Sequence, residues 1–414
     1  MTVRRGRNRD RTAAGRSDRP VAPSSRRGLR PATIVVHGGD RPDYNAGAVV
    51  PPVYFTSTYR YPRRYSELVG RSKAYLYSRE ENPTREGPEQ LLAELEHAER
   101  ARLFSSGMGA ISAVALSLVE PGDEVVALED LYGGTLELLR SYLAPRGVGL
   151  RWIGPDELAE PDRAFAGRSA RLLWLESPTN PTLRVIDLRR WSRAAHAVGA
   201  LVVVDNTFAT PLNQRPLELG ADLVVHSGTK YLAGHSDLLC GAVAGPTRLL
   251  DRIDPHFTLG APLDPMSAFL LHRSLKTLAL RMARHNENAR TVAGWLREQP
   301  AVARVFYPGW TEPGDEPLAA RQMSGRSGMV SFSLRGGRDA VRRFLKRLEL
   351  FQVASSLGGV ESLVSVPAET SHRRLSREEL LRRGIDDGFV RLSVGIEDPA
   401  DLLDDLSNAI RAAR

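Results

Sequence analysis

From about Leu91 to Ser227 the chain alternates helix-period segments with short, wholly apolar runs, and this pattern constrains the fold more than any other feature. "EQLLAELEHAER" sets Leu91, Leu92 and Leu95 on one helical face. "DEVVALED" and "LLWLE" (172–176) are short apolar runs of strand type. "LRRWSRAAHAVG" (188–199) repeats Leu188, Trp191, Ala195 and Val198 at helical spacing, stops at Gly199 and leads into "ALVVVD" (200–205); "ADLVVH" (221–226) is the next such run. A strand that is apolar on both faces must be covered on both. The pattern therefore predicts an α/β fold, a mostly parallel sheet between layers of helices. Ligands of such sheets sit beyond the carboxyl ends of the strands, so polar residues that end strands are the first candidates for chemistry.

The flanking segments suggest the remaining organisation. Residues 1–30 carry ten arginines against Asp10 and Asp18, which accounts for the whole net charge of +8 and leaves the rest of the chain formally neutral. Lacking aromatics, this stretch is expected to be a disordered, solvated tail; binding of nucleic acid by the tail is the alternative, and a neutral body gives it no support. Residues 31–85, rich in Pro, Tyr and Arg, read as an arm packed on another surface. Residues 86–264 read as the large domain, and 265–414 as a linking helix, from Met266 to about Glu298, followed by a smaller C-terminal α+β domain. "GMVSFSL" and "FVRLSVGIE" are its expected strands and "DPADLLDDLSNAIRAA" its closing helix. The lone Cys240 excludes an internal disulfide and a thiolate metal cage. With no apolar run long enough to cross a bilayer, a cytoplasmic location is expected.

Lysine usage narrows the search for chemistry. Four lysines (Lys73, Lys230, Lys276, Lys346) stand against 53 arginines, and of these two cationic side chains only the lysine amine can lose its proton and form a Schiff base. Lys276 and Lys346 fall in helical patterns and Lys73 in the polar arm. Lys230 follows an apolar strand directly, beside Ser227, Gly228 and Thr229. That placement suits an amine presented next to a phosphate; it also suits an ordinary turn lysine. Asp205 ends "LVVVD", either as a helix cap or as a carboxylate held beside a cofactor. Together the two suit pyridoxal phosphate (PLP), where a lysine forms the Schiff base and an acid keeps the ring nitrogen protonated. "LFSSGMGAISAV" (103–114) adds a helix start whose Gly107 and Met108 amides could face an anion.

Nine blocks in order extend these readings across most of the chain: "YSREENPT" (77–84), "SSGMGA" (105–110), "DLYGGT" (130–135), "ESPTNP" (176–181), "VVDNTF" (203–208), "HSGTKY" (226–231), "LKTLALRMARHNENA" (275–289), "SLGGVESL" (356–363) and "VRLSVGIED" (390–398). The sequence resembles the Cys/Met-metabolism enzymes, the cystathionine γ-synthase, cystathionine γ-lyase and methionine γ-lyase group of fold type I PLP-dependent transferases. The resemblance implies γ-elimination or γ-replacement on a homoserine- or methionine-derived amino acid. It assigns Lys230 to the covalent cofactor link and proton transfer, Asp205 with Thr207 to the pyridine nitrogen, and Tyr132 to ring stacking and proton transfer. Gly107, Met108, Ser227 and Thr229 would bind the phosphate, reached from a neighbouring subunit by Tyr77 and Arg79, which implies a homotetramer built as a dimer of dimers. Arg391, with Asn180 and Ser356, would bind the substrate α-carboxylate.

Two positions depart from the cystathionine-handling members. Two residues after "LYGGT" those enzymes carry arginine and this chain carries Glu137; before "SLGG" they carry glutamate and this chain carries Ser355. An acid at 137 is expected to repel a distal carboxylate, if it faces the substrate. The alternative is a methionine γ-lyase, or a γ-replacement enzyme with a non-carboxylate distal group, although methionine γ-lyases commonly carry cysteine where this chain has Gly134.

Overall fold

The computed structural model describes residues 28–40, 46–60, 75–167, 169–312 and 314–413. The arginine-rich tail, apart from residues 28–30, and Lys73 lie outside the described residues.

Seven strands form the larger sheet: β1 (Arg100–Phe104), β2 (Glu124–Leu128), β3 (Gly149–Ile153), β4 (Leu172–Glu176), β5 (Leu201–Asp205), β6 (Leu223–Ser227) and β7 (Gly241–Gly245), in the order β1-β7-β6-β5-β4-β2-β3. The pairings among β6, β5, β4, β2 and β3 are parallel, and β7 runs antiparallel to both its neighbours. The apolar runs are buried in full: Leu172–Leu175 and Val202–Val204 are essentially inaccessible, as is Trp191 on the helix Leu188–Ala197. Burial on both faces is why these strands read as continuous rather than alternating apolar runs.

This topology gathers the strand ends. Because β2, β4, β5 and β6 are parallel, and β1 runs in their direction across β7, all five deliver their carboxyl ends to one edge of the sheet. β1 leads there into helix α3 once the chain's two earlier helices, α1 (Pro31–His37) and α2 (Pro83–Glu96), are counted; α3 spans Gly107–Leu118. β2 leads into Tyr132 and the short helix α4 (Gly133–Glu137). The close approach of these segments requires glycine. A Cβ at Gly241 would lie 2.0 Å from the Ser106 carbonyl oxygen, and one at Gly107 would lie 2.9 Å from the Ser227 side chain.

A second sheet, in the order β10-β11-β12-β9-β8, comprises β8 (Val302–Phe306), β9 (Met329–Leu334), β10 (Gln352–Val353), β11 (Leu363–Ser365) and β12 (Phe389–Ser393). The closing helix Pro399–Ala413 buries Leu402, Leu406 and Ile410 in the same core cluster as Val330, Phe332 and Leu392. β12 lies between β11 and β9, where Arg391 pairs across to Ser365 and Ser331.

Three elements differ from the sequence pattern. The arm contains helix α1, which Pro31 starts at its first position. α2 begins at Pro83, ahead of the expected boundary at 85/86, because the Asn82 side chain accepts from the Thr84 amide and Pro83 occupies the first turn. The expected linking helix is two helices, Pro265–Leu275 and Leu278–Arg297. At the break the Ser274 carbonyl accepts from the Thr277 amide and hydroxyl and from the Arg281 guanidinium, in place of a continuing helical bond.

Candidate active site

A cavity of about 690 Å³ opens where the two sheets meet, over the gathered strand ends. Lys230, on the turn after β6, lines it and donates from Nζ to the Ser356 hydroxyl at 2.6 Å. Its turn is fixed by Thr229, whose amide donates to the Cys240 carbonyl while its hydroxyl accepts from the Cys240 amide at 2.8 Å. Burial first, and then the nearby Arg391 charge, bring the Lys230 amine down from 10.5 to about 8. About a tenth of the amine is then neutral at pH 7, far more than for an unperturbed lysine, and the neutral form is what a nucleophilic or basic amine needs.

Asp205 ends β5 in the same cavity. One of its carboxylate oxygens accepts from the Thr207 amide at 3.0 Å and from the Thr207 hydroxyl at 2.5 Å. The Thr207 hydroxyl in turn accepts from the Ser227 amide at 2.8 Å, which ties β5 to β6 behind the site. Burial raises the Asp205 pKa; the Thr207 bonds and the charge of His226 work against it. Buried His226 meets buried Glu96 at 2.6 Å.

At the start of α3 the Ser106 hydroxyl accepts from the Gly109 amide, which leaves the Gly107 and Met108 amides without a partner among the described residues. Gly107, Met108, Ser227 and Thr229 line one cavity with Lys230. Positive helix-terminal amides, hydroxyls and an ammonium make that wall suited to an anion.

The opposite wall comes from the second sheet. Arg391, buried on β12, donates to the Asn180 side-chain oxygen and to the Ser356 carbonyl, each at 3.0 Å. Burial brings its guanidinium from 12.5 to about 10. Ser356 adopts φ +93°, in the region that favours glycine, and holds both cationic side chains, Arg391 through its carbonyl and Lys230 through its hydroxyl.

Tyr132 lines the cavity with its ring part exposed, and its amide donates to Glu176 Oε2 at 2.8 Å. Gly134 is required beside it, since a Cβ there would sit 2.5 Å from the Tyr132 ring and 2.7 Å from the Met108 sulfur.

Thus Gly107, Met108, Tyr132, Asn180, Asp205, Thr207, Ser227, Thr229, Lys230, Ser355, Ser356 and Arg391 share one cavity. Tyr77 and Arg79 do not line it; Arg79 instead stacks on the Tyr77 ring, 5.0 Å from its centroid. Glu137, expected to repel a distal carboxylate if it faces the substrate, has a different neighbour in the described chain. Glu137 is absent from the lining, and its half-exposed carboxylate pairs with Arg374, which lowers its pKa. The physical reason is that α4 turns its last residue toward the segment after His372, a neighbour 237 positions away in sequence.

Sequence reasoning missed Glu176. It ends β4 level with Asp205 on β5, is buried, and lines the cavity. Burial, then repulsion from Asp205, raises its pKa well above 4.5. The signal was present, since "LLWLE" ends in an acid just as "LVVVD" does.

Comparison with known proteins agrees with this arrangement. The family model described as Cys/Met metabolism PLP-dependent enzyme matches residues 32–411. The chain is 44% identical over 388 residues to an L-methionine gamma-lyase of Pseudomonas deceptionensis, covering 92% of this chain and 97% of the relative. It is 42% identical over 385 residues to a cystathionine gamma-lyase of Bacillus subtilis, covering 92% and 99%. Among solved structures, cystathionine gamma synthase from Xanthomonas oryzae pv. oryzae in complex with cystathionine superposes with a TM-score of 0.87 at 40% identity, covering 93% of this chain and 98% of that one.

Proposed function

The chain belongs to the Cys/Met-metabolism PLP-dependent enzymes, with their fold type I architecture, and from that premise we propose that it carries out γ-elimination or γ-replacement on a homoserine- or methionine-derived amino acid. The observation that carries the reading is the convergence of a lysine amine lowered to about 8, the Asp205 carboxylate and the Arg391 guanidinium on one cavity.

The residues fit PLP. Unpartnered Gly107 and Met108 amides, with Ser227 and Thr229, form a cradle for its phosphate, and the acid Asp205 lines the same space as the amine Lys230. When bound, PLP supplies an electron sink that makes the Cα proton of an attached amino acid acidic. Ionised Asp205, oriented by two bonds from Thr207, stabilises positive charge on the ring nitrogen. Arg391, positioned by Asn180 and Ser356, clamps the substrate α-carboxylate and so orients Cα and Cγ relative to the Lys230 amine. Lys230 would take and return protons at the substrate carbons, and Tyr132, which lines the same cavity, would stack on the ring and assist proton transfer at the amine. Departure of the γ-substituent followed by water gives a 2-oxo acid and ammonia; a thiol that enters first gives a new thioether.

Tyr77 and Arg79, outside their own cavity and exposed, reach that of a second subunit in a dimer of dimers. Buried Cys240 is compatible with a reducing, cytoplasmic setting. Among the described residues no helix is long and apolar enough to cross a membrane.

The test is direct. Protein purified with PLP should be yellow, its visible band should shift on adding methionine, cystathionine or an O-acylhomoserine, and 2-oxobutyrate or a thioether should form. Lys230→Ala should abolish the shift and the products. A wild-type protein that takes up no PLP overturns the reading.

A further inference from the structure

Six charged side chains line the cavity: Glu176, Asp205, Lys230, Glu369, Arg373 and Arg391. The first three and Arg391 are buried or partly buried at the strand ends. Glu369 and Arg373 are exposed, at the opening. They come from one segment, a single 3-10 turn at Pro367–Glu369 and the residues after it. That segment is pinned. The His372 amide donates to the Pro367 carbonyl at 2.9 Å, the Thr370 hydroxyl donates to the Val366 carbonyl at 3.0 Å, and the His372 side chain is buried. Its Ser371 carbonyl closes on Gly133, where a Cβ would lie 2.2 Å away. Despite this anchoring, neither the Glu369 carboxylate nor the Arg373 guanidinium has a hydrogen bond or ion pair among the described residues, with each other or with any other group. The two neighbouring charges that could have opposed them are spent elsewhere, since Glu137 and Arg374 neutralise each other outside the cavity.

An opposite-charge pair that is held near a cavity mouth and not collapsed into a salt bridge matches a ligand end that itself carries both charges. We propose that Glu369 and Arg373 form a distal subsite for a zwitterionic amino-acid terminus, with Arg373 taking its carboxylate and Glu369 its ammonium. The preferred substrate is then a thioether whose sulfur joins two amino-acid halves, as in cystathionine, over one that ends in a neutral alkyl group. This rests on the reading of the cavity as the γ-elimination site, where Arg391 holds the other carboxylate.

The test compares holoenzyme kcat/KM on four thioethers that share the homocysteine half: cystathionine, the S-carboxyethyl compound, the S-aminoethyl compound and S-ethylhomocysteine. Because both side chains are solvent-exposed, each contact is screened, and the expected losses are about tenfold. Arg373→Gln should lose that factor on cystathionine and the carboxyethyl substrate and leave S-ethylhomocysteine within about twofold. Glu369→Gln should lose it on cystathionine and the aminoethyl substrate. The wild-type preference for cystathionine over S-ethylhomocysteine should fall as salt is raised. Variants that change all four substrates by one common factor, or that leave the cystathionine preference unchanged, overturn the subsite while the reaction stands. If wild-type holoenzyme processes none of the four, the subsite falls; the reading of the reaction fails as well only if an O-acylhomoserine with a thiol also gives no product.

Discussion

Lys230→Met, studied in the cofactor-free protein, tests the electrostatics on which the site depends. In the folded state burial and Arg391 bring the amine from 10.5 to about 8. At about 1.4 kcal/mol per pH unit, that depression corresponds to about 3 kcal/mol of destabilisation when the amine is charged. The sign follows from proton counting. Below about pH 8 both states carry the proton, and the folded state bears the full cost of a buried charge. Between about 8 and 10.5 the unfolded chain holds the proton and the folded chain has lost it, so wild-type stability rises with pH; above 10.5 both are neutral and the cost is gone. Methionine has similar length and no charge, so the variant should exceed wild type by up to about 3 kcal/mol at pH 7, and this advantage should vanish toward pH 10.5. Denaturant unfolding of both proteins across that range reads the difference, in which the size change and every other titrating group cancel. A stability difference that does not vary between pH 7 and 10.5 would refute the buried, depressed amine.

Other perturbations probe its neighbours. Gly134→Ala should displace the Tyr132 ring, which a Cβ would approach to 2.5 Å; because that ring is part exposed and free to swing outward, stability should change by less than about 1 kcal/mol while PLP retention, followed by absorbance on dilution, falls. Ser356→Gly should be more stable than Ser356→Ala by about 1 kcal/mol, since only glycine is at ease at φ +93°, and both should lower the Lys230 pKa, read from the pH dependence of its chemical modification, by removing the hydroxyl that favours the ammonium. Glu176→Gln should gain stability over wild type as pH rises above 4.5, because the unfolded glutamate ionises there while burial and Asp205 hold the folded one protonated to higher pH; thermal melts at pH 5 and 7 measure it, and an unchanged difference contradicts the raised pKa.

The parts of this molecule that were legible in its sequence are those fixed by burial. A strand covered on both faces must be apolar throughout, so Leu172–Leu175 and Val202–Val204 announce themselves, and the first polar residue after such a run lies at the sheet edge. Asp205 is legible that way, and Lys230, on the turn after β6, through the scarcity of lysine. Glu176 obeys the same rule, yet its importance depends on β4 lying beside β5 in register, and neighbour order is a property of the assembled sheet. The break at Lys276–Thr277 was hidden for a related reason. Leu275 and Leu278 keep helical phase across it, so periodicity passes straight through; the carbonyl of Ser274 is diverted by Arg281, a contact no pattern of apolar residues encodes.

The distal end of the cavity shows the limit most clearly. The family resemblance made Glu137 a candidate for repelling a distal carboxylate, but it pairs with Arg374 outside the cavity, and among the described residues the unpaired guanidinium in the lining is that of the adjacent Arg373. The residues proposed to bind the cofactor hang on strands whose places burial dictates, and they are constrained by the topology itself. Residues at the mouth hang on a surface segment joining strands of the other sheet, where a one-residue change in which arginine turns inward inverts the local charge without disturbing the core. Substrate preference in such a fold can therefore shift by rearranging exposed charges, while the chemistry at the strand ends stays the same.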